Sequence, residues 1–381
     1  MLIDESEMLI TLANAKRVLL VEPPYHRKWI PLGLAKISSF VKSNGGQVDF
    51  VRHPIMKKYD LICITTCFTT DSRIVLKSIR DCQRGLYTKG TKIIVGGIFA
   101  SLMPKYIMAK TGVDVFVGYS PVLDSFFPDY IIDWGIDDRY KEDQVLFTVR
   151  GCPNRCAYCM VWKMEPEFYV LPNWQEQIET SSKKRVILMD NNLLATPIEH
   201  MENVVEILNR NQKTVTMNGG VDCKFVTDEN AKLLSSLIYN NFGFRIAFDK
   251  MSDDGHFQIA MEKILNAGLK PKGISYCYVL FNFDDTPQEA FYRSRECWKY
   301  GVEPYLMRYK PLNMLTMNNN FVGKYWTKRL ADAFQIYWQN YGYAVNDGSM
   351  EAFVENYEIH GKKNRLKLTK EDWDKWNYVR K

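Results

Sequence analysis

Three cysteines, Cys152, Cys156 and Cys159, fall within eight positions in the run Arg150-Gly-Cys-Pro-Asn-Arg-Cys-Ala-Tyr-Cys159. Thiolates are soft ligands that suit iron–sulfur clusters or zinc. Gly151 and Pro153 favour an irregular loop over continued strand, so the three thiols can converge on one centre. A four-iron cluster normally takes four cysteines. Three would leave one iron open to the amino and carboxylate groups of a small molecule. A structural zinc site wants four Cys or His ligands, and no histidine or fourth cysteine follows at a short distance. A ferredoxin-type electron carrier also wants its fourth cysteine. Three buried free thiols are the remaining alternative, since free cysteine is commonly a core residue. Nine cysteines in 381 residues are too sparse for a disulfide scaffold, which points to metal chemistry in a reducing compartment. Cys223, Cys277 and Cys297 form no second cluster motif.

The elements that must carry this loop are legible on both sides of it. From Lys16 to Gly118 short apolar runs alternate with helical segments: Arg17–Glu22, Val48–Val51, Leu61–Thr65, Lys92–Val95 and Val113–Val117 read as strands. Leu32, Leu34, Ile37 and Val41 recur near helical spacing before Gly45-Gly46. This half reads as a doubly wound parallel sheet over residues 1–125, with ligand loops at Pro23–Leu32 and Gly96-Gly97. Residues 126–144 read as a connector. A second series follows over 145–312, with strands expected at Val145–Val149, Arg185–Met189, Thr214–Met217, Phe244–Phe248, Gly273–Val279 and Glu303–Arg308. Thr196-Pro197-Ile198-Glu199 and Thr286-Pro287-Gln288-Glu289 predict two threonine-capped helices. Six such strands make a partial (β/α)6 barrel with its reactive centre at the carboxyl ends. Residues 313–381 read as a helical extension, with a helix over Trp326–Trp338. The fold class expected is therefore α/β in two parts with a helical tail.

Cys-x-x-x-Cys-x-x-Cys with an aromatic before the last cysteine resembles the cluster motif of the radical S-adenosylmethionine (SAM) superfamily. The resemblance implies a [4Fe-4S] cluster held by Cys152, Cys156 and Cys159, with SAM at the open iron. It further implies reductive cleavage of SAM to a 5′-deoxyadenosyl radical that takes hydrogen from a substrate not identified by the sequence. A cellular electron donor such as flavodoxin or ferredoxin is the implied partner. By position, Tyr158 aligns with the aromatic beside the adenine. Asp190 and Asn191, in Leu188-Met-Asp-Asn-Asn192, stand where the family binds the SAM amino group with Gly-Gly-Glu. Asp249, in Arg245-Ile-Ala-Phe-Asp249, corresponds to a fourth-strand acid that meets the SAM ribose or carboxylate. Leu19-Leu-Val-Glu-Pro-Pro24, Pro31-Leu-Gly-Leu34 and Lys92-Ile-Ile-Val-Gly-Gly97 are similar to members with an N-terminal cobalamin-binding-like domain. Cobalamin is thus a candidate cofactor, and with it methyl transfer; without it rearrangement, dehydrogenation or ring formation stay open. No Asp-x-His-x-x-Gly occurs, and His26 and His53 are the loop histidines that a cobalt ion could meet.

Composition narrows the remaining classes. Hydrophobic residues at 46% and charged residues at 25% exclude a disordered chain. No apolar run reaches the roughly 18 residues of a membrane span, and acids occupy the N-terminal stretch where a secretory signal carries bases. A cytoplasmic protein without a membrane partner is the expectation. The net charge of +6 demands no polyanion. The run His360–Lys370 with Trp373, Trp376 and Tyr378 is the feature that could touch nucleic acid. An electron-transfer or nucleic-acid-binding protein with a structural cluster is the alternative function, and a solvated surface is the plainer reading of the tail.

Overall fold

A computed structural model describes every residue except 27, 54–56, 85–89, 318–319, 340–348, 357, 360–361, 364–366 and 381. The chain divides into two compact units. The first holds residues 1–155, 159–183 and 312–317, and the second holds 156–158, 184–311 and 318–381. Both are built of parallel strands alternating with helices, an α/β organisation.

The first unit centres on six strands: β1 (Leu2–Ile3), β2 (Arg17–Val21), β3 (Gln47–Val51), β4 (Leu61–Thr66), β5 (Lys92–Gly97) and β6 (Asp114–Phe116). They run parallel in the order β1-β6-β5-β4-β2-β3. Helices Leu32–Ser43 and Ser72–Gln83 separate them in sequence. Leu19, Val21, Ile62, Ile64, Val95 and Phe99 form the core. Near-continuous apolar strands are what a parallel sheet covered on both faces requires, which explains why β2 and β4 stood out in the sequence. The order reverses between β2 and β4. At the end of the neighbouring β5, Gly97 runs with φ +96°, where an added Cβ would lie 2.3 Å from the Thr66 carbonyl oxygen. Further along lie β7 (Asp143–Leu146), β8 (Val149–Arg150) and β9 (Tyr169–Val170). β8 and β9 form a two-residue antiparallel clasp, pairing Val149 with Val170 and Arg150 with Tyr169. The expected strand Val145–Val149 is broken at Phe147–Thr148, and the clasp was too short to be seen as a pattern.

The second unit carries β10 (Arg185–Leu188), β11 (Thr214–Met217), β12 (Val221–Asp222), β13 (Phe244–Ala247), β14 (Ser275–Phe281) and β15 (Glu303–Arg308). β10 pairs with β11, and β12-β13-β14-β15 form a second parallel series. Thr286 caps the helix Pro287–Lys299 as expected: its Oγ1 accepts from the Glu289 N–H, and the Glu289 carboxylate accepts from the Thr286 N–H. Thr196 does not repeat this. The helix starts at Ile198 behind Pro197 with no side-chain cap, and the Thr196 hydroxyl donates to the Leu193 carbonyl instead, because the preceding 3-10 turn Leu193–Ala195 captures it. The expected C-terminal helix spans Lys328–Gln339. Its Leu330, Phe334, Tyr337 and Trp338 pack with Phe281, Trp326, Phe353 and Trp376. A short antiparallel pair, β16 (Glu358–Ile359) and β17 (Lys362–Lys363), was not anticipated. Much of the basic run at 360–366 lies outside the described residues, while Trp376 is buried and donates to Glu351. Among the described residues no helix is long and apolar enough to cross a membrane.

Candidate functional site

Cys152, Cys156 and Cys159 lie on irregular backbone between β8 and a short helix at Val161–Met164. All three are half-buried, and none is in a disulfide. Cys152 and Cys159 belong to the first unit and Cys156 to the second. Elsewhere in the chain, burial pushes the thiols of Cys63, Cys82 and Cys223 up to about 12, so they stay protonated core residues. Among the described residues no set of three or more His, Cys, Asp or Glu side chains is gathered as a metal site.

Within the first unit the root of this loop is held by charge. Arg150, at the end of β8, donates from Nε and Nη2 to Asp124 at 2.7 and 3.0 Å and from Nη1 to Glu165 at 3.0 Å. Glu165 also accepts from the Gly151 N–H at 3.0 Å. Lys36 donates to Asp124 at 2.7 Å, making a buried acid with two cations. Burial alone would raise the Asp124 pKa, but Arg150 and Lys36 outweigh it and hold the carboxyl below its ordinary value. Gly151 has φ +77°, and a Cβ there would sit 2.0 Å from the Glu167 carbonyl oxygen, so no other residue fits.

Within the second unit Tyr158 donates to the Asp249 carboxylate at 3.3 Å. Its ring meets Phe283 edge to face at 5.8 Å, and Phe283 packs on Tyr309 at 4.5 Å. Burial, then the charges of Asp249 and Cys156, push the Tyr158 hydroxyl far above its usual pKa, so it remains a proton donor. Asp249 follows β13 and also accepts from the Leu280 N–H at 3.0 Å. Burial raises its pKa to about 6, against the pull of Arg293, Leu280 and Tyr158. Arg293 is fully buried and donates to the Phe248 and Leu280 carbonyls, each at 2.9 Å, and to Asp285 at 2.8 Å. Asp190 and Asn191 follow β10, with Asp190 buried. A Cβ on Gly219, beyond β11, would lie 1.9 Å from the Asp190 carbonyl oxygen, so that glycine permits close passage of the two chain segments. Asp190, Asp222, Asp249, Asn282 and Tyr309 thus succeed one another where the parallel strands end.

Sequence reading passed over Glu165, Arg293 and Asp285. Their only signals were an acid 14 residues after the Gly151 amide that it accepts from and an arginine–aspartate pair eight residues apart, both too loose to interpret alone. At the first unit's switch point Glu22 pairs with Arg52 at 2.6 Å, and burial raises its pKa to about 7 against that pairing. Tyr25 accepts from the Cys67 N–H at 3.0 Å. His26 and His53 are both exposed. Searches of protein-family models and of curated proteins find no match to the chain.

Proposed function

We propose that this chain is a radical SAM enzyme, with residues 145–312 as a partial (β/α)6 barrel, residues 1–125 as a cobalamin-binding-like domain and 313–381 as a helical extension. The observation that carries the proposal is the donor set: three half-buried cysteines on one irregular segment, beside core cysteines whose burial keeps them protonated. Soft thiolates with one coordination position left over fit a four-iron cluster better than zinc, which wants four ligands. Cys152, Cys156 and Cys159 would hold it. When bound, such a cluster supplies the electron that splits SAM into methionine and a 5′-deoxyadenosyl radical able to take hydrogen from a substrate.

The protein's own part is to bind, orient and exclude water. Tyr158 and Phe283 offer apolar ring surface for an adenine, and Asp249 offers an acceptor for a ribose hydroxyl. Asp190 and Asn191 stand at the end of β10 as candidates for the SAM amino group. The Arg150–Asp124–Glu165 network holds the base of the cysteine segment rigid while its tip accepts a ligand. A small-molecule substrate and a flavodoxin- or ferredoxin-like donor complete the reading. The exposed positions of His26 and His53 do not fit a lower ligand for cobalt, so no step is routed through cobalamin.

The test is anaerobic purification with iron and sulfide analysis, followed by incubation with SAM and dithionite. Wild-type protein is expected to carry iron and form 5′-deoxyadenosine, and Cys156→Ala to lose most of both. Equal iron in the variant would refute the ligand assignment, and iron without 5′-deoxyadenosine would favour electron transfer.

A further inference from the structure

On β13 and β14, side chains alternate strictly between two faces. Phe244, Ile246, Ser275 and Cys277 are buried on one face, toward the helix Pro287–Lys299 that packs on β14. Arg245, Ala247, Tyr276 and Tyr278 are on the other and remain half-buried. The parallel register sets Arg245 beside Tyr276, and Ala247, Tyr278 and Tyr305 in one row across β13, β14 and β15. Tyr305 is 48% exposed.

Arg245 is held unlike the other well-buried arginines. Arg52, Arg150, Arg293 and Arg308 each meet a carboxylate. Arg245 donates from Nε to the Phe242 carbonyl at 3.2 Å and from Nη1 to Asn218 Oδ1 and the Tyr278 hydroxyl, both at 2.7 Å. All three acceptors are neutral and none of its bonds is to a carboxylate; the acid on this face in its row, Glu303, lies beyond Tyr276 on β15, and Nη2 takes part in none of these bonds. The Tyr278 hydroxyl donates a hydrogen bond to the Asn218 backbone carbonyl at 3.0 Å, and its ring is wedged where a Cβ on Gly220 would come within 3.1 Å. The guanidinium is therefore pre-positioned with one edge unspent. Around it stand aromatic walls: Tyr276 stacks on Phe242 at 4.1 Å and 8°, and Tyr305 meets Tyr276 and Tyr278 at 5.5 and 5.9 Å.

A partly desolvated cation fixed by neutral groups costs free energy that an oxyanion would return through charge-assisted bonds. We infer that this face is a binding site for a small molecule carrying a carboxylate or phosphate on a planar or apolar body, the oxyanion on Arg245 and the body against Tyr276 and Tyr305. The inference deepens the proposed function by naming a substrate class, and rests on that reading only for the fate of the bound molecule.

The test uses the full-length chain and three probes, benzoate, phenyl phosphate and benzylamine, titrated by NMR with ¹⁵N-labelled arginine. Benzoate or phenyl phosphate is expected to shift the Arg245 side-chain signal saturably, the tighter of the two naming the anion, while benzylamine leaves it unmoved. Arg245→Met should weaken binding about tenfold or more, Tyr278→Phe by less, and Tyr305→Phe by no more than about twofold. Should Arg245→Met fail to fold, the wild-type shift and Tyr278→Phe still decide. Benzylamine binding as well as benzoate, unchanged affinity in Arg245→Met, or no anion-dependent shift in wild type would each overturn the site. None of these readouts requires iron or SAM, so failure of the radical reading leaves them intact.

Discussion

Two desolvated aspartates, buried Asp124 in the first unit and half-buried Asp249 in the second, are shifted in opposite directions. Asp124 is desolvated but faces Lys36 and Arg150, and it is held ionised below its ordinary pKa. Asp249 is desolvated with a phenol, one amide and Arg293 to support it, and burial wins, raising it to about 6. Arg293 spends its hydrogen bonds on two carbonyls and Asp285 rather than on Asp249. The first arrangement is what a fixed scaffold needs, since a fully paired ion resists change. The second leaves a carboxyl group near the middle of the physiological range, a property that clusters at functional sites.

The comparison breaks most sharply at Asp124. Replacing it with leucine strands the buried Lys36 and leaves Arg150 with Glu165 alone, and chemical denaturation should register a loss of about 3–5 kcal/mol in the first unit. A stability change under about 1 kcal/mol would mean that the network is solvated and not a scaffold.

Acid–base titration of stability sharpens the same contrast. The raised pKa of Asp249 means that its favourable contribution is complete below about pH 4 and lost as pH rises through about 6, worth roughly 2–3 kcal/mol. Asp124 has the opposite sign: its contribution is present above the unfolded value near 4 and lost as pH falls through its depressed folded value. Asp249→Asn should therefore reduce the slope between about pH 4 and 6 in urea titrations, leaving the part that Glu22, raised to about 7, contributes and leaving the more acidic limb in place. An unchanged slope in the variant would assign it to other groups.

The smallest effect belongs to the helix that carries Arg293. Thr286→Ala removes its capping hydroxyl and should cost about 1 kcal/mol by thermal denaturation, with Asp249 titrating as before if the Arg293 anchor holds. A displaced Asp249 titration in that variant would show that the cap tunes the acid.

Much of the scaffold could be seen in advance because its strands are apolar runs bounded by turns. Arg17–Val21, Leu61–Thr66, Thr214–Met217 and Glu303–Arg308 fall within a residue of expectation. Short pairings were invisible: β8, β9 and β12 have two residues each, too few for a period. Thr196 shows a local rule overruled, since its hydroxyl found a nearer acceptor in the preceding turn. The cysteines announce themselves by spacing, but their surroundings do not. Asp124 lies 88 residues from Lys36, and Tyr158 lies 91 from Asp249, separations that only tertiary folding closes. Arg245 was in plain view within a strand, yet nothing local reveals that its partners are neutral.

The β8–β9 clasp has a consequence for how the cysteine segment can be damaged and survive. The polypeptide entering and leaving the segment is already tied together by strand pairing, by Glu165 and by Arg150, independently of whatever the thiols grip. A protease nick among the exposed residues Pro153, Arg155 and Ala157 would leave two ends still held side by side. Such a nicked chain should migrate as one body in a native gel and as two fragments under denaturation, its stability changed little although the arc proposed to bind metal is cut.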